Sequence, residues 1–413
     1  MSLPTPVHIA VIGGGSAGLI ASIAAARRGA RVTVLEKNNR VGKKLLTTGN
    51  GTCNLTNTDP ALHRYHGENP RFILSAFSRF GYPATIEFFR ELGVEPVETE
   101  QGKVYPASFQ ASSVLDLLRY ELDALGVEIL TEAPVEAIGP TGSGFKLMVS
   151  DGRQLSADRV IVATGGLAAP NLGCHGDGYR LAGALGHRLV DPFPALVQLK
   201  LDSPYVKQLN GVRLQVEARI IAGGVERRSE TGEVLFTNYG VSGPAILQLS
   251  RTAGHHLRLG EQVILELNLV PGYTLDSLDQ LLAQRLAARP AKSIAFSLVG
   301  FIHKQLAQAV AKEAVGDLHL PGRQVTAAQR QRLAQTLLGW RFPVSGTLSW
   351  PSAQVTAGGL DVTQVDPRTM ESRLVPGLYF AGEVLDIDGD SGGYNLQWAW
   401  SSGHVAGESA AQT

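Results

Sequence analysis

The chain has 413 residues, 44% of them hydrophobic and 18% charged, with 37 basic side chains against 37 acidic ones. This length exceeds one ordinary core and implies two or three domains, and the balanced charge removes any compositional case for nucleic acid or an anionic membrane as partner. Two cysteines, Cys53 and Cys174, exclude a disulfide framework; with no signal-like segment before Val7 and no long uninterrupted apolar run, the expectation is a cytoplasmic protein outside the membrane.

The first predicted elements organise the rest. Val7 to Glu36 reads as strand, glycine turn, helix and strand, with Gly13, Gly15 and Gly18 in G-x-G-x-x-G spacing. In such a unit the first glycine makes the turn, the second lets backbone approach a pyrophosphate, and the third lets helix and strand close up. The helix start, with Ser16 and Ala17, offers free N–H groups to the phosphates. Glu36 closes the second strand, where a carboxylate accepts from the hydroxyls of an adenosine ribose. The expected fold class is therefore α/β, with a Rossmann-like dinucleotide-binding domain.

Residues 37 to 57 form a predicted loop rich in Gly, Asn and Thr. It directly follows a rigid nucleotide unit, so Lys37, Lys44, Thr48, Gly49, Asn50 and Gly51 are candidate cofactor contacts. Residues 70 to 93 and 111 to 126 carry helical apolar spacing and read as packing elements. Short strands follow at 127–129, 135–138, 144–149 and 154–155. A buried strand from Arg159 then runs into Ala163, Thr164, Gly165 and Gly166, a strand end that brings backbone to a ligand without obstruction. A helix is predicted at about 179–185. From Pro194 the character changes to alternating strand-like segments, and residues 274 to 340 turn helical and basic. We read 194–349 as an inserted domain, β-rich over 194–272 and helical over 273–345. The discontinuous first domain then comprises 1–193 and 350–413. The final part contains a strand at 378–381, Gly382 and Glu383, an acidic turn with Asp386, Asp388 and Asp390, and a helix starting near Gly393 and Asn395. The acidic turn lacks the glycine and distal glutamate of a calcium loop, so no metal is expected.

The glycine turn alone does not separate NAD from FAD. A chain that opens a nucleotide fold and returns to it at its far end suits the long cofactor, FAD. A helix N-terminus near Gly393 would favour negative charge on the flavin ring. At this point several stretches carry a resemblance: KKLLTTGNGTCNLTN (43–57), VIVATGGLAAPNLGCHGDGY (160–179), FTNYGVSGPAILQLSR (236–251) and the long segment 355–403. Together they resemble the BaiN/YhiN-like family of FAD-dependent oxidoreductases, related in fold to the glutathione reductase and fumarate reductase flavoproteins. The resemblance implies ADP contacts at Gly13, Gly15, Ser16, Ala17, Glu36 and Lys37, and a backbone contact at Val135. It places Ala163 to Gly166 near the pyrophosphate, and Gly382, Glu383, Asp386, Asn395 and Leu396 at the ribitol and ring. Where the family often has a basic residue before its cysteine, this chain has Thr52.

The same resemblance implies reduction of an activated carbon–carbon double bond, in steroid-type acids or in a uracil of ribosomal RNA. No second glycine motif is present, so NADH or NADPH is expected as a transient donor rather than a resident. Hydride transfer to such a bond needs a matching proton. Cys53 is the first candidate for its donor and Tyr394 the second, with packing roles as the alternatives; His175 reads as a surface loop residue. Three rival readings remain at this stage. One is a ribosomal RNA-modifying reductase using basic residues such as Arg285, Arg330 and Arg341; the others are a small-amine oxidase and a non-catalytic flavin sensor.

Overall fold

The computed structural model describes residues 6–412. They divide into two compact units, one formed by residues up to Phe193 and from Gln354 onward, the other by Pro194–Ala353.

In the first unit, β1 (His8–Ile12), α1 (Ser16–Arg27) and β2 (Arg31–Leu35) follow the order read from the sequence. Helix α2 (Ala111–Ala124) and strand β3 (Glu128–Leu130) come next, then an antiparallel set of β4 (Val135–Thr141), β5 (Gly144–Val149) and β6 (Gln154–Ala157). Strand β7 (Arg159–Val162) leads to helix α3 (Asp177–Gly183). Sequence spacing suggested continuous helix over 70–93, but the chain breaks between Ile73–Arg79 and Tyr82–Glu91. Gly81 and Pro83 sit at that break, where glycine serves as N-cap and proline tolerates only a first turn.

The second unit is a closed antiparallel barrel of β8 (Leu199–Leu201), β9 (Arg213–Ala222), β10 (Val225–Phe236), β11 (Gly240–Ser242), β12 (Val263–Asn268) and β13 (Trp340–Thr347), in the order β8–β11–β10–β9–β12–β13. Helices α4 (Pro244–Arg258) and α7 (Ala327–Leu338) pack on it, and α5 (Leu275–Ala288) and α6 (Lys304–Val315) pack on α7. Strand β13 falls inside the stretch expected to be helical over 273–345. Its alternation explains why: Trp340, Phe342 and Val344 point inward while Arg341, Pro343 and Ser345 face solvent, a period of two that no helix presents.

The chain then returns to the first unit with β14 (Leu378–Phe380) and α8 (Tyr394–Ala411). Five strands form one parallel sheet in the order β14–β7–β1–β2–β3. Its inner strands are buried on both faces, as continuous runs such as Ile9–Ile12 and Val160–Val162 require, while edge strand β3 is partly exposed. Helix α1 is buried nearly all round. Ala17, Ala21 and Ala25 lie in the core shared with the sheet and α8, while Leu19, Ile20 and Ile23 pack with Leu115, Leu118 and Trp400. The approach of α8 to α1 depends on two glycines, since a Cβ on Gly403 or Gly407 would overlap the carbonyl oxygens of Ala17 or Ala21.

Candidate cofactor site

The three glycines of the turn do different work. Gly13 has φ +103°, and a Cβ there would sit 2.5 Å from the Ala163 carbonyl oxygen, so the first turn is locked against the end of β7. A Cβ on Gly18 would overlap the Gly13 carbonyl oxygen, so this glycine lets α1 start directly on the turn. Gly15 differs: it is the N-cap of α1 with φ −83°, and a Cβ there would meet nothing within 4 Å. No steric demand inside the protein calls for glycine at that position. The first backbone N–H to turn back onto α1 is that of Leu19, which donates to Gly15 O at 2.9 Å. The N–H groups before it are the ones a helix start leaves for a ligand. An extended diphosphate fits this cradle, with bare backbone at Gly15 and the donors of Ser16 and Ala17 beside it.

Glu36 is 7% exposed. One carboxylate oxygen accepts from the Gly14 N–H at 2.9 Å; the other accepts from the Asn38 N–H at 2.8 Å and the Asn38 side chain at 2.7 Å. The carboxylate thus braces the glycine turn, and its Oε2, with one donor, could still accept from a ligand. Lys37 pairs with Asp177 at 2.5 Å and meets His175 Nδ1 at 2.8 Å, which joins the end of β2 to α3. Neither Asn38 nor Asp177 stands out in the sequence, since both are polar residues in loop-like surroundings. Val135 begins β4, and its carbonyl accepts from Arg180 at 3.2 Å.

The strand ends meet where the sheet opens. Ala163 N–H donates to Ile12 O at 2.8 Å, and Gly165 has φ +70°. Thr356 Oγ1 accepts from the N–H groups of Leu167 and Ala168 at 2.8 and 3.0 Å, and a Cβ on Gly166 would overlap it. Thr356 was not singled out by sequence reasoning; its position in VTAGG, directly before a glycine doublet, is the signal that could have marked it. A Cβ on Gly382 would lie 2.8 Å from Ala17 Cβ, so the C-terminal strand end reaches the start of α1. Glu383 is held on both sides, accepting from Thr356 N–H at 3.1 Å and from Lys44 Nζ at 2.8 Å. Burial disfavours charge on Lys44, but the Glu383 carboxylate outweighs it and holds the amine above its ordinary value.

Beyond Lys44 the loop is strongly bent. Thr48 is extended, and Gly49, Asn50 and Gly51 all have positive φ, as does Cys53 at +60°. Two of these are not glycine, and such outliers persist where surrounding structure over-determines them. Cys53 is 0% exposed, packed with Leu19, Leu45, Leu55 and Trp400, and burial pushes its thiol up to about 12. The structure therefore brings Cys53 into the core behind the loop rather than to the open side of the cradle. Leu396 packs against the same cluster.

At the acidic turn, Asp386 is buried and accepts from the Glu68 N–H at 2.8 Å. Asn395 closes the turn by accepting from Gly389 N–H at 2.8 Å and donating to Gly389 O at 2.7 Å. These two side chains hold the loop in shape. Gly393, with φ +100°, caps α8, whose first residue is Tyr394. Arg64 lies over the Tyr394 ring at 5.8 Å, Tyr65 meets it edge-on, and burial raises the Tyr394 hydroxyl above its usual range. Among the described residues no group of three or more His, Cys, Asp or Glu is arranged to hold a metal ion.

A family model described as HI0933-like protein Rossmann domain matches residues 7–409. The chain is 38% identical over 407 residues to the 3-dehydro-bile acid delta(4,6)-reductase of Clostridium scindens, covering 98% of this chain and 99% of that enzyme. It is 33% identical over 396 residues to the ribosomal RNA dihydrouridine synthase of Escherichia coli, covering 95% of each. A solved structure of 3-ketosteroid delta1-dehydrogenase from Sterolibacterium denitrificans shares the fold, with TM-score 0.52, 13% identity, and coverage of 98% of this chain and 99% of that one.

Proposed function

The chain belongs to the HI0933-like family of FAD-dependent oxidoreductases, and we propose that it reduces a carbon–carbon double bond conjugated to a carbonyl, with NADH or NADPH as the transient donor. The observation that carries this reading is the pairing of the Gly15 cradle with full-length likeness to a bile acid delta(4,6)-reductase. FAD, when bound, supplies hydride chemistry at its flavin ring.

The protein's part is to bind, orient and protonate. Gly15, Ser16 and Ala17 present backbone donors to the diphosphate, and Glu36 offers its remaining lone pairs to the adenosine ribose. Lys44 and Glu383 fix the long loop against the C-terminal strand end at 2.8 Å. The Gly393 end of α8 adds a positive dipole end, which favours negative charge nearby. For the proton that accompanies hydride, Tyr394 is the residue this reading favours. It begins α8 directly after the Gly392–Gly393 turn, where the Arg64 guanidinium lies over its ring at 5.8 Å.

A small substrate is favoured over folded RNA because four of the basic side chains that an RNA footprint would use are already engaged. Arg330 pairs with Asp279 at 2.8 Å, Arg341 with Glu266 at 2.7 Å, Arg285 donates to Ser297 O, and Arg332 to Ala314 O. The RNA reading retains one supporting observation, the two relatives named ribosomal RNA dihydrouridine synthase at 33% and 31% identity.

The test is anaerobic. Holoenzyme is mixed with NADH or NADPH, and a conjugated enone is then added. We expect the yellow flavin absorbance to bleach with a donor and return with the enone, one equivalent of double bond being reduced per flavin. A flavin that neither nucleotide bleaches, or that no enone restores, overturns the reading. Tight, steeply salt-dependent binding of ribosomal RNA with no enone turnover would favour the RNA reading.

A further inference from the structure

We propose that Tyr105 and Phe109 form an aromatic shelf that receives the flat apolar ring system of the substrate, and that this shelf sets selectivity for fused-ring over single-ring enones. The proposal rests on the double-bond reductase reading and names the substrate class for it.

Phe109 has two features that packing does not explain. It is 46% exposed, and its backbone is left-handed at φ +49°. Its N–H donates to Pro106 O at 2.8 Å, so it ends a tight turn at a position that glycine or asparagine fills at low cost. A bulky aromatic residue there adds backbone strain and leaves an apolar ring in water. Its ring lies 5.6 Å from that of Tyr105, at 31°. The two rings thus present one tilted face.

The hairpin that carries these rings meets two of the segments assigned to the cofactor. On one side, a Cβ on Gly49 would lie 3.4 Å from Tyr105 Cε1, so the shelf abuts the bent 48–53 loop. On the other, Asn57 Nδ2 donates to both Gln101 O at 3.1 Å and Gly392 O at 2.9 Å, which ties this hairpin to the start of α8. Four non-glycine residues with left-handed backbone lie in this neighbourhood: Asn50, Cys53, Gln101 and Phe109. Strained backbone of this kind gathers where a binding surface is held in shape.

The charge on this hairpin argues against a polyanion as the occupant. The same hairpin carries Glu95, Glu98 and Glu100, all exposed, against Lys103. Three carboxylates repel a phosphodiester chain, whereas a neutral fused-ring ketone loses nothing by approaching them. Covering the two rings with the apolar surface of a second and third ring of the substrate removes that surface from water, which is worth roughly fourfold in affinity for each methylene buried.

The test uses the oxidised holoenzyme and the variants Phe109→Gly and Phe109→Leu. A fused-ring 4-en-3-one is titrated against the flavin absorbance, and turnover is compared with that of 2-cyclohexenone. We expect Phe109→Gly to melt at the same temperature as the parent or higher, because strain is relieved. We expect its dissociation constant for the fused-ring ketone to rise about fivefold or more, and its fused-to-single-ring ratio of kcat/KM to fall by at least as much. Phe109→Leu should recover only part of that loss. Parent-like binding and ratio in Phe109→Gly overturn the proposal, as does failure of the parent to bind the fused-ring ketone. If the parent binds that ketone without reducing it and Phe109→Gly loses the binding, the shelf stands and the reductase reading falls.

Discussion

Gly15→Ala separates a cofactor role from a structural one with a single methyl group. The backbone at Gly15 has φ −83°, which alanine adopts freely, and the added Cβ meets nothing within 4 Å. Alanine is a poorer N-cap than glycine but reduces unfolded-chain entropy, so these effects offset to within about 1 kcal/mol of stability. A diphosphate resting on that backbone responds differently. The methyl group displaces it, with overpacking of about 1–3 kcal/mol and weakening of at least one charge-assisted hydrogen bond worth about 1.5–3 kcal/mol. The sum, about 2.5–6 kcal/mol, puts the loss of FAD affinity at roughly 100-fold or more. The assay is fluorescence titration of deflavinated protein with FAD, alongside thermal melting of the same apoprotein. Gly18→Ala is the contrast, since its Cβ would overlap the Gly13 carbonyl oxygen and should lower the apoprotein melting temperature itself. If Gly15→Ala binds FAD as tightly as the parent, the cofactor does not lie against this turn and the site assignment fails.

Glu36→Ala should weaken FAD retention and also destabilise the apoprotein by about 2–4 kcal/mol, because the Gly14 and Asn38 N–H groups lose their buried acceptor; denaturant melts and flavin release on dilution check both effects, and unchanged retention removes Glu36 from the ribose. Cys53 should resist alkylation by iodoacetamide in native protein under mildly alkaline conditions, since the thiol is fully buried and pushed up to about 12. Rapid labelling in the native state would place it at an open surface. His404 stacks on Phe80 at 4.1 Å, and burial, opposed by Glu408 and aided by Arg79, Arg28 and Arg27, lowers it to about 4. The unfolded chain therefore takes up this proton first, so stability is full above pH 6.5 and is lost as pH falls towards 4. Glu408, held below the carboxylate range, acts in the same direction at the acid end. His404→Phe, which keeps the stacking, should flatten the fall in melting temperature between neutral and mildly acidic pH, and an unchanged slope refutes the assignment.

The parts of the fold that were legible in the sequence are those fixed by short-range physics. The strand, turn, helix and strand of residues 7–36 could be read because buried parallel strands are apolar throughout and the turn needs glycine at set positions, and the structure places all of it as expected. The return of the C-terminal segment was legible for a similar reason, since Leu378–Phe380 and the glycines before Tyr394 repeat the style of the first domain. What escaped depends on partners distant in the chain. Strand β13 was read as part of a helical run because the preceding residues are rich in Leu, Ala and Gln; its pairing with β8 and β12 lies far off in sequence. Asp177 is invisible for the same reason, being an ordinary acid until Lys37 is brought to it, and the VTAGG context of Thr356 does not show that the amides of Leu167 and Ala168 will reach its hydroxyl. Cys53 shows the converse. A lone cysteine in a glycine-rich loop looks chemical in one dimension, yet the left-handed turn at +60° directs it away from the loop's exposed side and into a cluster with Leu19 and Trp400. Side-chain direction at a positive-φ residue is a property of the folded backbone, and composition carries no trace of it.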